Sequence, residues 1–318
     1  MRGSVLARSA FVAALALAAA GGLSGSSHPA AAAGSPHVLF GAYVNHAYPN
    51  QDRRQQLATL ERFLGRTLAI DHLGFFSWSG RLPTTILRTD IAARRWPFMS
   101  WHQIASDRIS NGSQDAFIRK RAAALKAFGG RIFLQFAGEM DRKAVAGTPQ
   151  QFIAAWDHVV ALFRAAGASN VEFVWCPTAY GFTTGRAQPF FPGDDEVDWI
   201  CADGYNWGTA HPTSVWRSFP QVFADFFAWA QGHAAVPIML GEWASVEDPD
   251  VPGRKAMWIN NARLKVEQRY PQIGALVYFD TNGWDATTQK LVDWRANTSD
   301  SAYAAFKQMA TDPYYGAR

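Results

Sequence analysis

The sequence predicts an α/β chain closed into a (β/α)8 barrel, and three observations carry that expectation. Eight short apolar runs alternate with helical patterns between residues 38 and 310, which implies parallel pairing with right-handed crossovers. The chain after its first segment has the length of an ordinary barrel of this kind, about 250 residues. No glycine-rich phosphate loop follows the first run, which disfavours the runner-up, an open doubly wound sheet. No linker, repeat or second domain is visible. With 48% hydrophobic and 18% charged residues, the composition is that of globular material.

The elements follow in order. The first strand is Val38-Leu39-Phe40-Gly41-Ala42-Tyr43-Val44, and a helix with Leu57, Leu60 and Leu64 on one face comes next. The second apolar run lies near 68–76, and the third is Pro97-Phe98-Met99-Ser100-Trp101. Phe117, Ala124 and Phe128 mark the helix before strand four, Arg131-Ile132-Phe133-Leu134-Gln135-Phe136-Ala137. Thr148-Pro149-Gln150-Gln151 then supplies a cap, a proline at the first helical position and a capping-box glutamine. Phe152, Trp156, Val159, Val160 and Phe163 form the apolar face of that helix, and Gly167 ends it. Strand five is 171–175, and the Pro-, Gly- and aromatic-rich stretch 177–197 holds no long helix. Strand six at 198–202 precedes a helix pattern at 213–231, strand seven at 236–240 and a helix at 254–270. Strand eight at 274–279 and a helix at about 299–310 complete the series.

The first 33 residues stand apart. Arg2 and Arg8 flank the start of an alanine-rich apolar run, and a Gly/Ser-rich stretch leads to Ala30-Ala31-Ala32-Ala33. That order reads as a signal peptide cleaved near Ala33, with residues 34–318 as one mature domain that is secreted. The run is too short to span a membrane. Without Arg2 and Arg8, the 30 basic residues become 28 against 26 acidic ones. No stretch concentrates Lys and Arg enough to follow a phosphate backbone, so nucleic acid is excluded as a partner. Cys176 and Cys201 either form a disulfide in an exported chain or stay as buried thiols. They give no zinc pattern, and neither metal nor cofactor is expected.

Two strands end alike. Strand four runs into Gly138-Glu139, and strand seven, Ile238-Met239-Leu240, runs into Gly241-Glu242-Trp243. Chemistry in (β/α)8 barrels sits at the C-terminal strand ends, so both carboxylates face one mouth. Facing carboxylates suit glycoside hydrolysis: one stays protonated to donate to the leaving oxygen, and the other stays ionised to attack. A separation of about 5–5.5 Å gives a covalent intermediate and retained stereochemistry.

The chain resembles the glycoside hydrolase clan with acid/base on strand four and nucleophile on strand seven, and most of all glycoside hydrolase family 26. The similarity spans about 38–310 and is carried by Gly138-Glu139-Met140-Asp141, by 170–175, by 197–206 with Asp203-Gly204-Tyr205-Asn206, and by 237–243. The resemblance implies Glu139 as acid/base, Glu242 as nucleophile and Tyr205 as hydrogen-bond donor to the nucleophile. It also implies an endo-β-1,4-mannanase-like hydrolase, since the family is known for mannanases, with β-1,3-xylanases and mixed-linkage glucanases among its members. The alternatives are a β-1,3/1,4-glucanase or β-xylanase of the same family, or a carbohydrate-binding pseudoenzyme. The chain departs from the family at Gly138, where the mannanases usually carry a substrate-contacting histidine. It also has Arg142-Lys143-Ala144-Val145 in place of a tryptophan-rich stretch.

Of the thirteen tryptophans, Trp78, Trp101, Trp175, Trp207, Trp243 and Trp284 fall at or past strand ends, where flat indoles could stack on sugar rings. Trp207 and Trp284 are favoured because they lie in loops. His102 could bond a sugar hydroxyl, and Asp203 reads as a turn cap before Gly204. Asp280 stays ambiguous, and Tyr43 reads as core. A monomer acting on a polysaccharide is expected, with no lysine, metal-ligand or G-x-S-x-G pattern to suggest other barrel or serine chemistry.

Overall fold

The computed structural model describes residues 38–286 and 288–316, and the expected signal peptide lies outside them. Eight parallel strands pair in chain order and close on themselves. They are β1 (Leu39–Val44), β2 (Ile70–Phe76), β3 (Trp96–Trp101), β4 (Ile132–Phe136), β5 (Val171–Trp175), β6 (Trp199–Asn206), β7 (Ile238–Ser245) and β8 (Ile273–Asp280). Six register pairs from Leu39↔Ala275 to Val44↔Asp280 seal β8 against β1. Outside the barrel run α1 (Arg53–Leu64), α2 (Thr84–Ala92), α3 (Ser106–Ser110), α4 (Asp115–Lys126), α5 (Pro149–Ala165), α6 (Ala179–Thr183), α7 (Phe219–Ala230), α8 (Arg254–Arg269) and α9 (Asp300–Thr311). The (β/α)8 expectation holds.

Local chemistry sets the helix ends. Asp52 and Gln55 form a capping box on α1, and Gly65 stops that helix in the left-handed region at φ 74°. The Thr148–Gln151 box with Pro149 opens α5 as expected, and all five residues of its apolar face are buried. Ser218 and Gln221 repeat the device on α7. The sequence reading missed α2. Its N-cap, Pro83, makes no side-chain cap bond, and only Leu87 and Asp90 of the helix are buried.

Two apolar cores result. One lies between barrel and helices; the other fills the barrel's lower interior with Phe98, Phe133, Val174, Trp199, Met239 and Val277. Above this plug the interior turns polar, because His72, Ser100, Gln135, Asp203 and Glu242 are buried toward the C-terminal mouth.

The strands that carry the site run further than the sequence suggested. Glycines beside carboxylates at 203–204 and 241–242 read as strand exits, yet β6 continues to Asn206 and β7 to Ser245. Register shifts mark the transition, between Ala202 and Asp203 and between Leu240 and Trp243. Such irregularities re-aim side chains near functional sites. Gly241 is needed there, since a Cβ would sit 2.6 Å from Cys201 Sγ and 2.9 Å from Asp203 Oδ1. A short hairpin, β9 (Asn282–Asp285) with β10 (Lys290–Asp293), follows β8 and was also missed. Among the described residues no helix is long and apolar enough to cross a membrane.

Candidate active site

A cleft of about 360 Å³ opens at the C-terminal mouth, and Glu139 and Glu242 both line it. Glu139 follows β4 on an unusual backbone. Ala137 and Glu139 both adopt left-handed conformations, at φ 55° and 56°, each costing about 1–3 kcal/mol for a residue with a side chain. Neighbouring bonds hold the turn. Glu139 N–H donates to the Cys176 carbonyl at 2.8 Å. Asp141 accepts from Thr178 N–H at 2.9 Å and from its hydroxyl at 2.6 Å, tying this loop to the one after β5. Arg142 approaches Glu139 Oε2 at 3.7 Å, and Lys143 Nζ donates to the Gly138 carbonyl at 2.5 Å.

Glu242 stands in β7, opposite Asp203 of β6 in the pairing register. It is buried, and the Tyr205 hydroxyl donates to its Oε2. Burial, then the charge of Glu139, push Glu242 up to about 8; the Tyr205 bond and the Lys143 ammonium pull the other way. Burial, followed by the Glu242 charge, also raises the Tyr205 hydroxyl well above its usual range, so it remains a donor at neutral pH.

Asp203 is the correction here. It caps no turn; it lies within β6, 3% exposed, on the cleft floor. A polar chain fixes it from below. Ser100 donates to Gln135 Oε1, and Gln135 Nε2 donates to Asp203 Oδ2 at 3.0 Å. His72 Nε2 lies 2.9 Å from Ser100 Oγ; with that hydroxyl's proton given to Gln135, the histidine is the donor. Burial and the Arg53 charge lower His72 to about 3, so it is neutral, and its Nδ1 has no partner. Gly138 makes room for this chain, because a Cβ there would meet Gln135 Cδ at 2.5 Å. Burial, then the charges of Glu242 and Glu139, raise Asp203 well above its ordinary value.

Cys176 and Cys201 are joined by a disulfide inside the barrel. Their sulfurs lie near Asp203, but as a disulfide they offer no thiolate for a metal.

Of the residues expected to meet substrate, Tyr205, Trp207 and His102 line the cleft. Trp175 and Trp243 do not, and that expectation is corrected. Both are fully buried. Trp175 donates to the Phe190 carbonyl and packs among Phe182, Phe191 and Trp229. Trp243 packs among Phe219, Trp258 and Tyr278. Strand-end position was the signal, but alternate strand residues face the helices. Trp284 is 63% exposed on β9 and is not part of the cleft wall. Asp280 is buried and accepts from Ala296 N–H. Tyr43 is half-buried and stacks on Phe279 of the cleft wall. Trp294, Phe75, Phe279, Arg142 and Lys143 also line the cleft and were missed. Trp294 packs on both Tyr205 and Trp207; only the Arg-Lys pair left a trace in the sequence, as a departure from the family pattern.

An eight-stranded parallel barrel with two glutamates and a tyrosine at its C-terminal mouth has the architecture of a barrel glycosidase. No family model matches the chain. Among curated proteins, Endoglucanase H of Acetivibrio thermocellus is 31% identical over 289 residues, which are 85% of this chain and 30% of that protein. Beta-1,3-xylanase TXYA of a Vibrio species is 28% identical over 119 residues, covering 34% of this chain and 25% of that protein. The chain thus spans less than a third of the length of these curated relatives. Among solved structures, a glycoside hydrolase family 26 beta-mannanase from Bacteroides ovatus matches with TM-score 0.62 at 15% identity, over 88% of this chain and 90% of that one. A modular endo-beta-1,4-mannanase from Cellulomonas fimi also gives TM-score 0.62 at 15% identity, over 87% of this chain and 71% of that one. The likeness to glycoside hydrolase family 26 expected from the motifs therefore holds: the chain has that family's fold across its barrel, and its sequence relationship to the endoglucanase covers most of its length.

Proposed function

We propose that the chain is a retaining hydrolase of a β-linked polysaccharide, secreted after removal of residues 1–33, with its catalytic barrel in the residues that follow. The observation that carries this is the pairing of Glu139 and Glu242 on one cleft, with the Tyr205 hydroxyl donating to Glu242. Glu242 attacks the anomeric carbon while Glu139 protonates the departing oxygen; Glu139 then takes a proton from the water that releases the glycosyl-enzyme. A nucleophile must be charged, and burial opposes this. Tyr205 and Lys143 favour the charged form, and the same burial that raises Asp203 favours its uncharged form beside it. Trp207, Trp294, Phe75 and Phe279 supply apolar faces for sugar rings. Trp284 serves as a platform outside the cleft.

The resemblance put β-1,4-mannan first. We now rank a β-1,4 or mixed-linkage glucan ahead of it, with mannan and xylan next. The relative with substantial sequence identity is named an endoglucanase. The histidine usual in the mannanases is Gly138 here, and the space its Cβ would need is filled by Gln135. The test is a panel of mixed-linkage glucan, glucomannan, galactomannan and xylan with wild type, Glu139→Gln and Glu242→Gln, with product anomers followed by NMR. Cleavage of one polymer with retention, lost in both variants, is expected. Inverted product, or cleavage that survives Glu242→Gln, overturns the assignment.

A further inference from the structure

We infer that the cleft wall formed by Lys143 and His102 is a subsite for an anionic substituent on the polysaccharide, a uronate carboxylate or a sulfate ester. This rests on the carbohydrate reading of the cleft and names the substrate class more narrowly.

A side pocket of about 120 Å³ adjoins the main cleft and shares Lys143 and His102 with it. Its remaining walls are Gln103, Ala137, Met140 and Val145, so no carboxylate lines it. Lys143 has three N–H donors. One goes to the Gly138 carbonyl, and the ammonium has no ion-pair partner among the described residues. Arg142, by contrast, faces Glu139. The amide nitrogen and oxygen of Gln103 are both buried without a hydrogen-bond partner. Burial, then the Lys143 charge, lower His102, leaving a neutral imidazole that adds hydrogen bonding without a second charge. A cation, an imidazole and an amide around an apolar-backed pocket complement a small anion. Lys143 also acts on Glu242 through space, but no carboxylate among the described residues comes within ion-pair distance of it. Two of its N–H donors therefore stay available to an anion, and a charge-assisted bond there is stronger than one to a neutral hydroxyl. The pocket lies directly after the loop that carries Glu139, so the sugar it selects is bound next to the bond being cut.

The test uses one backbone in two charge states. Mixed-linkage glucan and glucomannan are compared with the same polymers partly oxidised at C6 to uronate, and with their sulfated forms, by affinity electrophoresis of the full chain. Binding is read directly, so the result stands whether or not a polymer is hydrolysed. The expected result is about tenfold tighter binding to an anionic form, the size of one charge-assisted hydrogen bond. That advantage shrinks with added salt, disappears in Lys143→Gln, is partly kept in Lys143→Arg, and is unchanged in Lys120→Gln on the outer face of α4. The uronate and sulfate arms tell the two anions apart. Equal binding to neutral and anionic forms, or an advantage that survives Lys143→Gln, overturns the inference. Failure to cleave any polymer would count against the proposed hydrolase and not against this subsite.

Discussion

Replacing Glu242 with glutamine should change how folding stability depends on pH. Burial first, and the Glu139 charge second, raise this carboxyl from its ordinary 4.5 to about 8. Between those values the folded protein keeps a proton that the unfolded chain has released, so stability falls as pH rises through the window. Each pH unit is worth about 1.4 kcal/mol, so the whole window amounts to about 5 kcal/mol. Glutamine keeps an acceptor for the Tyr205 hydroxyl but cannot ionise. It also removes the charge that is the second cause of the raised Asp203, an effect of the same sign. Urea denaturation of wild type and Glu242→Gln at pH 5 and pH 8 measures the outcome. The variant should gain about 4 kcal/mol relative to wild type on going from the lower to the higher pH. A difference that stays constant between the two would refute the reasoning, because Glu242 would then titrate as a solvated carboxylate.

Further outcomes follow from the same geometry. On an aryl glycoside that needs no acid, Glu139→Gln should show an acid limb of kcat/KM below pH 8, since Glu242 must be charged to attack and one raising charge is gone, yet above the ordinary carboxylate range because burial, the first cause, remains. Tyr205→Phe removes a bond to a charged group worth about 1.5–3 kcal/mol, so kcat should fall roughly ten- to a hundredfold while the acid limb moves up. Trp175→Ala should cost on the order of 3–5 kcal/mol of stability with KM unchanged, whereas Trp207→Ala should raise KM and leave the denaturation midpoint nearly in place. Serine at both Cys176 and Cys201 should lower stability by about 3 kcal/mol, the chain-entropy value for a loop of this size, measured by the same urea titrations.

The barrel was legible because its signals are local. Helix caps such as Thr148 with Gln151, and apolar stripes such as 152–163, need no distant partner to be read. The two glutamates were legible for the same reason, each standing after an apolar run and a glycine. What escaped depends on contacts between elements. Asp203 looked like a turn residue until Gln135, two strands away in the barrel, supplied its donor. Trp175 ends its strand and Trp207 follows its own, yet one faces α7 through Trp229 and the other the cleft. Only the pleat and the bulges decide which. Trp294 belongs to a hairpin end whose register against Thr281 no short-range pattern encodes.

The disulfide has a mechanical consequence. Two residue pairs, Val174↔Trp199 and Trp175↔Ile200, join β5 to β6, as few as between β1 and β2, and above them Thr178 forms one isolated bridge to Asp203. That short seam lies beside the cleft floor: Cys176 anchors the backbone of Glu139, and Cys201 precedes Asp203 and Tyr205 on the neighbouring strand. The covalent bridge adds a tie that does not break and re-form as hydrogen bonds do, so this seam keeps its register when its few backbone bonds open.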